Sequence, residues 1–81
     1  MSYYIITAEH VSNLDKVVAD IGHNNVMTFG KHPVFADQYQ ITFEGNAKLA
    51  EKAKNVVWEN NHGAWCYIRM MTETELDNMG I

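Results

Sequence analysis

The sequence predicts an α+β domain: a four-stranded antiparallel sheet with two helices on one face. Three observations carry that expectation. Residues 38–43 alternate polar and apolar, which places Tyr39, Ile41 and Phe43 on one face of a strand and Gln38, Gln40 and Thr42 on the other. Residues 47–62 carry Leu49, Ala53, Val56, Val57 and Asn60 at helical spacing. Residues 64–71 return to period two, with Cys66, Ile68 and Met70 opposed to Trp65, Tyr67 and Arg69.

In chain order, residues 2–8 come first, and their Tyr-Tyr-Ile-Ile-Thr run is rich in strand formers. Both faces of this strand are apolar. Tyr4, Ile6 and Ala8 are expected to face the helices, because the opposite register would bury the Thr7 hydroxyl without a partner. Ser12-Asn13-Leu14-Asp15 resembles a capping box with Asp in place of Glu, and Leu14, Val17, Val18 and Ile21 then form one apolar helical stripe. Gly22 is placed to terminate that helix, with His23-Asn24-Asn25 as a short loop. Residues 26–29 read as a short strand ended by Gly30-Lys31-His32-Pro33. Val34 and Phe35 either extend that strand past a bulge or cap one end of the core.

After the strand at 38–43, Gly45-Asn46 breaks the pattern, and Asn46 can accept from the free amides of a new helix that Gly63 then ends. Beyond the last strand, residues 72–77 predict one turn of helix capped by Thr72, and residues 78–81 are expected to fray unless Leu76, Met79 or Ile81 docks. Strand, helix, strand, strand, helix, strand is the split βαβ order of the ferredoxin-like sandwich. With right-handed crossovers the first and third strands are central, and one sheet face is left open. The expected unit is a single domain over residues 1–81, with its core in 2–71 and a tail in 72–81. No repeat or low-complexity tract divides it.

Composition narrows the function classes. With 81 residues there is room for one small core, so a homodimer is an expected supplement to stability. Hydrophobic content of 47% with 20% charged residues belongs to a folding chain. The single cysteine, Cys66, allows no internal disulfide and no cysteine-based zinc cluster, which fits a reducing compartment. The chain start lacks the basic and apolar regions of a signal peptide, and no apolar run reaches the roughly 18 residues of a membrane span, so a cytoplasmic location is expected.

The net charge of −4 disfavours non-specific binding to phosphate backbones. Lys48, Lys52 and Lys54 are expected to pair at helical spacing with neighbours among Glu44, Glu51 and Glu59, as a solvated face rather than a phosphate site.

The open sheet face is the principal candidate site. It should present Tyr3, Ile5, Thr7, Gln38, Gln40, Thr42, Trp65, Tyr67 and Arg69, a mixture of aromatics, amides and one arginine enriched where proteins meet. Cover by the C-terminal tail, or pairing of two copies through the face, is the plainer alternative. Ferredoxin-like RNA-binding domains stack bases on such a face, but this chain has Asp37 and outward glutamines where they carry basic and aromatic residues.

His10, His32 and His62 should fall at one end of the sheet, near Glu9, Asp37 and Glu59, as a possible metal or small-ligand site. Exposed loop histidines are the simpler reading, since no two are spaced for one helix face. Cys66 lacks an adjacent base and reads as a small buried thiol rather than a nucleophile. Thr7-Ala8-Glu9-His10 provides no anion cradle. The chain is therefore expected to be no enzyme and to need no cofactor. It reads as a regulator, inhibitor or adaptor that binds another protein through Tyr3, Ile5, Gln38, Gln40, Trp65, Tyr67 and Arg69.

Overall fold

A computed structural model of the protein describes residues 2–81; Met1, the first residue of the expected domain, lies outside the described residues. The elements run β1 (Ser2–Glu9), α1 (Leu14–Ile21), β2 (Val26–Lys31), β3 (Gln38–Gly45), α2 (Ala47–Glu59), β4 (Cys66–Met70) and α3 (Glu73–Asn78). The strands form one sheet in the order β2-β3-β1-β4, with every neighbouring pair antiparallel and β1 and β3 central. The chain is thus α+β, with a four-stranded antiparallel sheet and three helices where two and a turn were expected.

One sheet face carries the core. Ile6 and Ala8 of β1 and Ile41 and Phe43 of β3 are buried against Val17 and Ile21 of α1 and Ala50, Ala53 and Val57 of α2. Tyr4, Tyr39, Cys66 and Ile68 pack at the margin of this cluster. The period-two patterns therefore point as the sequence indicates, and β1 takes the register that keeps Thr7 off the core. Burying side chains such as Phe43, Ile6 and Ile41 contributes about 1.5–3 kcal/mol each. The Tyr4 and Phe43 rings also stack, with centroids 5.4 Å apart.

Several boundaries differ from the sequence reading. The expected Ser12 capping box does not form. Asn13 caps α1 from a left-handed conformation without a side-chain bond, while the Ser12 backbone N–H and Oγ both donate to the Asn60 carbonyl. A tertiary bond that ties the entry of α1 to the exit of α2 outcompetes the local cap. Helix α2 begins as expected, with Asn46 Oδ1 accepting from Leu49 N at 2.9 Å. It ends at Glu59 rather than near His62, because Asn60 caps it and His62 and Gly63 both turn to positive φ. Strand β2 runs on to Lys31 and is irregular between Val26 and Thr28. Val34 and Phe35 are exposed in the connection and cap nothing. The lysines of α2 make no ion pair among the described residues; Lys16 with Asp20 on α1 is the helical pair that forms. No helix of the described residues is long and apolar enough to cross a membrane.

Candidate functional site: the outer face of the sheet

The face turned away from α1 and α2 is built from rows that cross the strands, because residues paired directly in an antiparallel ladder share a face. Thr28, Thr42, Ile5 and Arg69 form one row. Gly30, Gln40, Thr7 and Tyr67 form the next, and Gln38 with Glu9 continues to Trp65, whose carbonyl accepts the Glu9 N–H. Tyr3 and Glu44 lie in the row at the opposite end.

The C-terminal segment divides this face. Met71 N donates to the Tyr3 carbonyl, so the chain leaves β4 still in register with β1. A capping box between Thr72 and Glu75 then starts α3. Glu75 also accepts both arms of the Arg69 guanidinium, at 2.6 and 2.8 Å. Arg69 and the Thr72 amide hold the Glu75 carboxyl at a pKa of about 2. Met71, Glu75, Asn78 and Met79 thereby form one wall of an open groove of about 440 Å³, with Ile5, Thr28, Gln40 and Thr42 along its floor and Pro33 at its rim.

This wall corrects the expected site. Ile5 and Thr42 are only 6% and 5% exposed, so neither is a free contact residue. The Thr42 hydroxyl oxygen also accepts from the Thr28 amide and pairs with the Thr28 hydroxyl. Arg69, the only arginine of the chain, is engaged by Glu75 instead of standing ready for a partner. Trp65 and Tyr67 do stand out, at 42% and 58% exposed. The Trp65 indole donates to Glu9 at 3.1 Å, which fixes its ring above the end of β1. Gln38 and Gln40 are half-buried in the same rows as this aromatic pair, while Tyr3, also half-buried, lies at the other end of the face beside Glu44 and Met71 and does not join them.

The histidine constellation does not assemble. Among the described residues no three His, Cys, Asp or Glu side chains come together as a metal site requires. His10 turns to Glu9 at 3.1 Å. His32 Nδ1 accepts from the amides of Val34 and Phe35, and its ring tilts against Phe35. The job of His32 is to shape the hairpin. Cys66 is half-buried, and burial pushes its thiol pKa up despite the nearby Lys54.

Asn61 is a residue that sequence reasoning missed. It is fully buried, and its side-chain amide donates to the carbonyls of Ala64 and Trp65, which fixes the turn that presents Trp65. The signal available was its place in Asn60-Asn61-His62-Gly63, a run better suited to a turn than to a last helical coil. Comparison of the chain with protein-family models and with curated protein sequences gives no match.

Proposed function

We propose that the protein is a small, non-enzymatic protein-binding module, acting as a regulator, inhibitor or adaptor through the uncovered half of its outer sheet face. The observation that carries this reading is the pair Trp65 and Tyr67, exposed side by side beyond the edge of α3's cover. Aromatic anchors held in place before binding lose little conformational freedom on contact. Trp65 has that property through its bond to Glu9. Gln38, Gln40 and Thr7 supply adaptable hydrogen-bonding groups beside them.

We further infer that the sheet order, with α1 joining β1 to β2 and α2 joining β3 to β4, is the ferredoxin-like sandwich with α3 added. That fold hosts many activities and lends the functional reading no weight.

The test is affinity capture with the wild type and with Trp65→Ala, Tyr67→Ala and Trp58→Ala. A partner that uses this face is retained by wild type and by Trp58→Ala, whose exposed ring lies on α2. It is lost with the other two variants while their circular dichroism stays native. Equal retention by all four proteins overturns the reading.

A further inference from the structure

The two edges of the sheet are treated differently. Strand β2 carries a register irregularity at Val26/Thr28, a glycine at position 30, Lys31 at its end and Pro33 just beyond. These are devices that keep an edge from pairing with another chain. Strand β4 has none of them. Its Cys-Tyr-Ile-Arg-Met run contains no glycine, proline or lysine and pairs with β1 without a bulge.

Parity shows which backbone groups of β4 are free. Glu9 N donates to Trp65 O and Met71 N donates to Tyr3 O, both within the β1 ladder. Hydrogen-bonded pairs alternate along an antiparallel ladder. Trp65, Tyr67, Arg69 and Met71 therefore direct their amides and carbonyls at β1, while Cys66, Ile68 and Met70 direct theirs outward. Among the described residues no backbone group partners them; the Met70 carbonyl accepts only from Arg69 Nη1 and keeps a second lone pair.

We propose that β4 pairs with β4 of a second copy of this chain, antiparallel about a two-fold axis through Ile68. In that register Ile68 exchanges both backbone bonds with Ile68 of the other copy, and Cys66 does the same with Met70. Every outward amide and carbonyl of the strand is then used. The intervening pairs set Tyr67 of each copy directly opposite Arg69 of the other on the outer face, in the closer, non-hydrogen-bonded type of pair. Glu75 holds the N–H edge of the Arg69 guanidinium, and the guanidinium plane is left to stack on the phenol ring as a favourable cross-strand contact. On the helical face, Met70 is 59% exposed although it points toward the core side. It borders a groove of about 410 Å³ with Tyr4, Ala50, Glu51, Lys54 and Ile68. A second copy brings its own Cys66, Ile68 and Met70 against this groove. Glu51 and Lys54, one turn apart on the bordering face of α2, give that surface both signs of charge, as a self-complementary contact requires.

Self-pairing at β4 goes beyond the reading of the outer face, and the variants that test it leave Trp65 intact. Met70→Pro removes an amide that no intramolecular bond uses, at an edge position where proline is tolerated. Sedimentation of the wild type should give twice the 9.3 kDa chain mass, and Met70→Pro should restore the single-chain mass with native circular dichroism. Met70→Cys reads the register. It places a second thiol opposite Cys66 of the other copy at about 5.5 Å between Cα atoms, within disulfide reach. Mild oxidation at slightly alkaline pH should yield a covalent dimer. The wild type should not cross-link, since its two Cys66 residues lie about 14 Å apart in this register. A wild type that stays monomeric up to about 1 mM overturns the proposal. So does a dimer that survives Met70→Pro, or one that Met70→Cys fails to cross-link.

Discussion

Arg69 grips Glu75 with both guanidinium arms, at 2.6 and 2.8 Å, across the turn between β4 and α3. The same carboxylate accepts from the Thr72 amide at 2.9 Å. One side chain therefore closes the capping box and anchors the helix to the sheet. The Glu75 pKa falls from 4.5 to about 2, mainly through Arg69. A depressed carboxyl pKa contributes stability that is fully present above the unfolded value and is lost as pH falls through the folded one. The protection of the Leu76 and Met79 amides against hydrogen exchange should thus decline between pH 4.5 and about 2. Glu75→Gln should show reduced protection at neutral pH and a flatter profile over that interval. The pair is partly exposed, so its own worth is about 0.2–1 kcal/mol. A protection profile identical in wild type and Glu75→Gln would remove the anchoring role.

Gly45 lies where β3 hands over to α2, and a Cβ there would sit 2.5 Å from Leu49 Cδ2 and 3.2 Å from Leu49 Cβ. The Leu49 side chain tip can rotate away. Its Cβ cannot move freely, because the Leu49 amide is bound by Asn46. Gly45→Ala should cost about 1–3 kcal/mol in urea denaturation. The loss in Gly45→Ala/Leu49→Ala should be smaller than the sum of the two single losses, since the contact is shared. Strict additivity would place the strain elsewhere.

The strands and their faces were legible in the sequence because period-two alternation survives any tertiary detail. Tyr39, Ile41 and Phe43 could share a face in only one way. The cap at Asn46 and the start of α3 at Thr72 were legible for the same reason: each is a local bond between neighbours in sequence. The rest depended on residues far apart. Ser12 has the composition of a cap, yet its partner is Asn60, 48 positions away. Ile5 alternates correctly onto the outer face and is nevertheless covered, because α3 returns over the sheet in a direction that no local pattern encodes. Arg69 read as a free anchor for a partner; its bidentate bond to Glu75 needed the geometry of the turn. The histidines do not gather as a site: His10 turns to Glu9 and His32 to the Val34 and Phe35 amides, both sequence neighbours, and no three metal-ligating side chains come together among the described residues.

Cys66 is half-buried beside the core, and burial raises its thiol pKa even though Lys54 acts in the opposite direction. A raised pKa leaves less thiolate at neutral pH. Alkylation by iodoacetamide at pH 7 should therefore be slower than for a free cysteine, and it should accelerate steadily as pH rises. Cys66→Ala should leave any partner binding by Trp65 and Tyr67 unchanged, because the thiol lies on the opposite face. Alkylation faster than that of free cysteine at pH 7 would point instead to an activated thiol.

Asn61 combines full burial with an incomplete set of bonds. Its Nδ2 donates to Ala64 O at 2.7 Å and to Trp65 O at 3.2 Å, while Oδ1 has no partner among the described residues. The two donated bonds pin the turn through His62 and Gly63, both at positive φ, and deliver the chain to β4. Asn61→Ala leaves those carbonyls without this donor and should cost about 1–3 kcal/mol in urea denaturation. Asn61→Asp should be worse at pH 7, because a buried carboxylate has no proton to donate and carries an uncompensated charge. Lowering the pH toward 4 should recover part of that loss, since the protonated acid regains one O–H donor. Trp65 fluorescence should shift in Asn61→Ala as the indole loses its fixed setting above Glu9. If both variants match the wild type in stability, the turn is held by its backbone bonds alone, and the aromatic pair on the outer face owes nothing to Asn61.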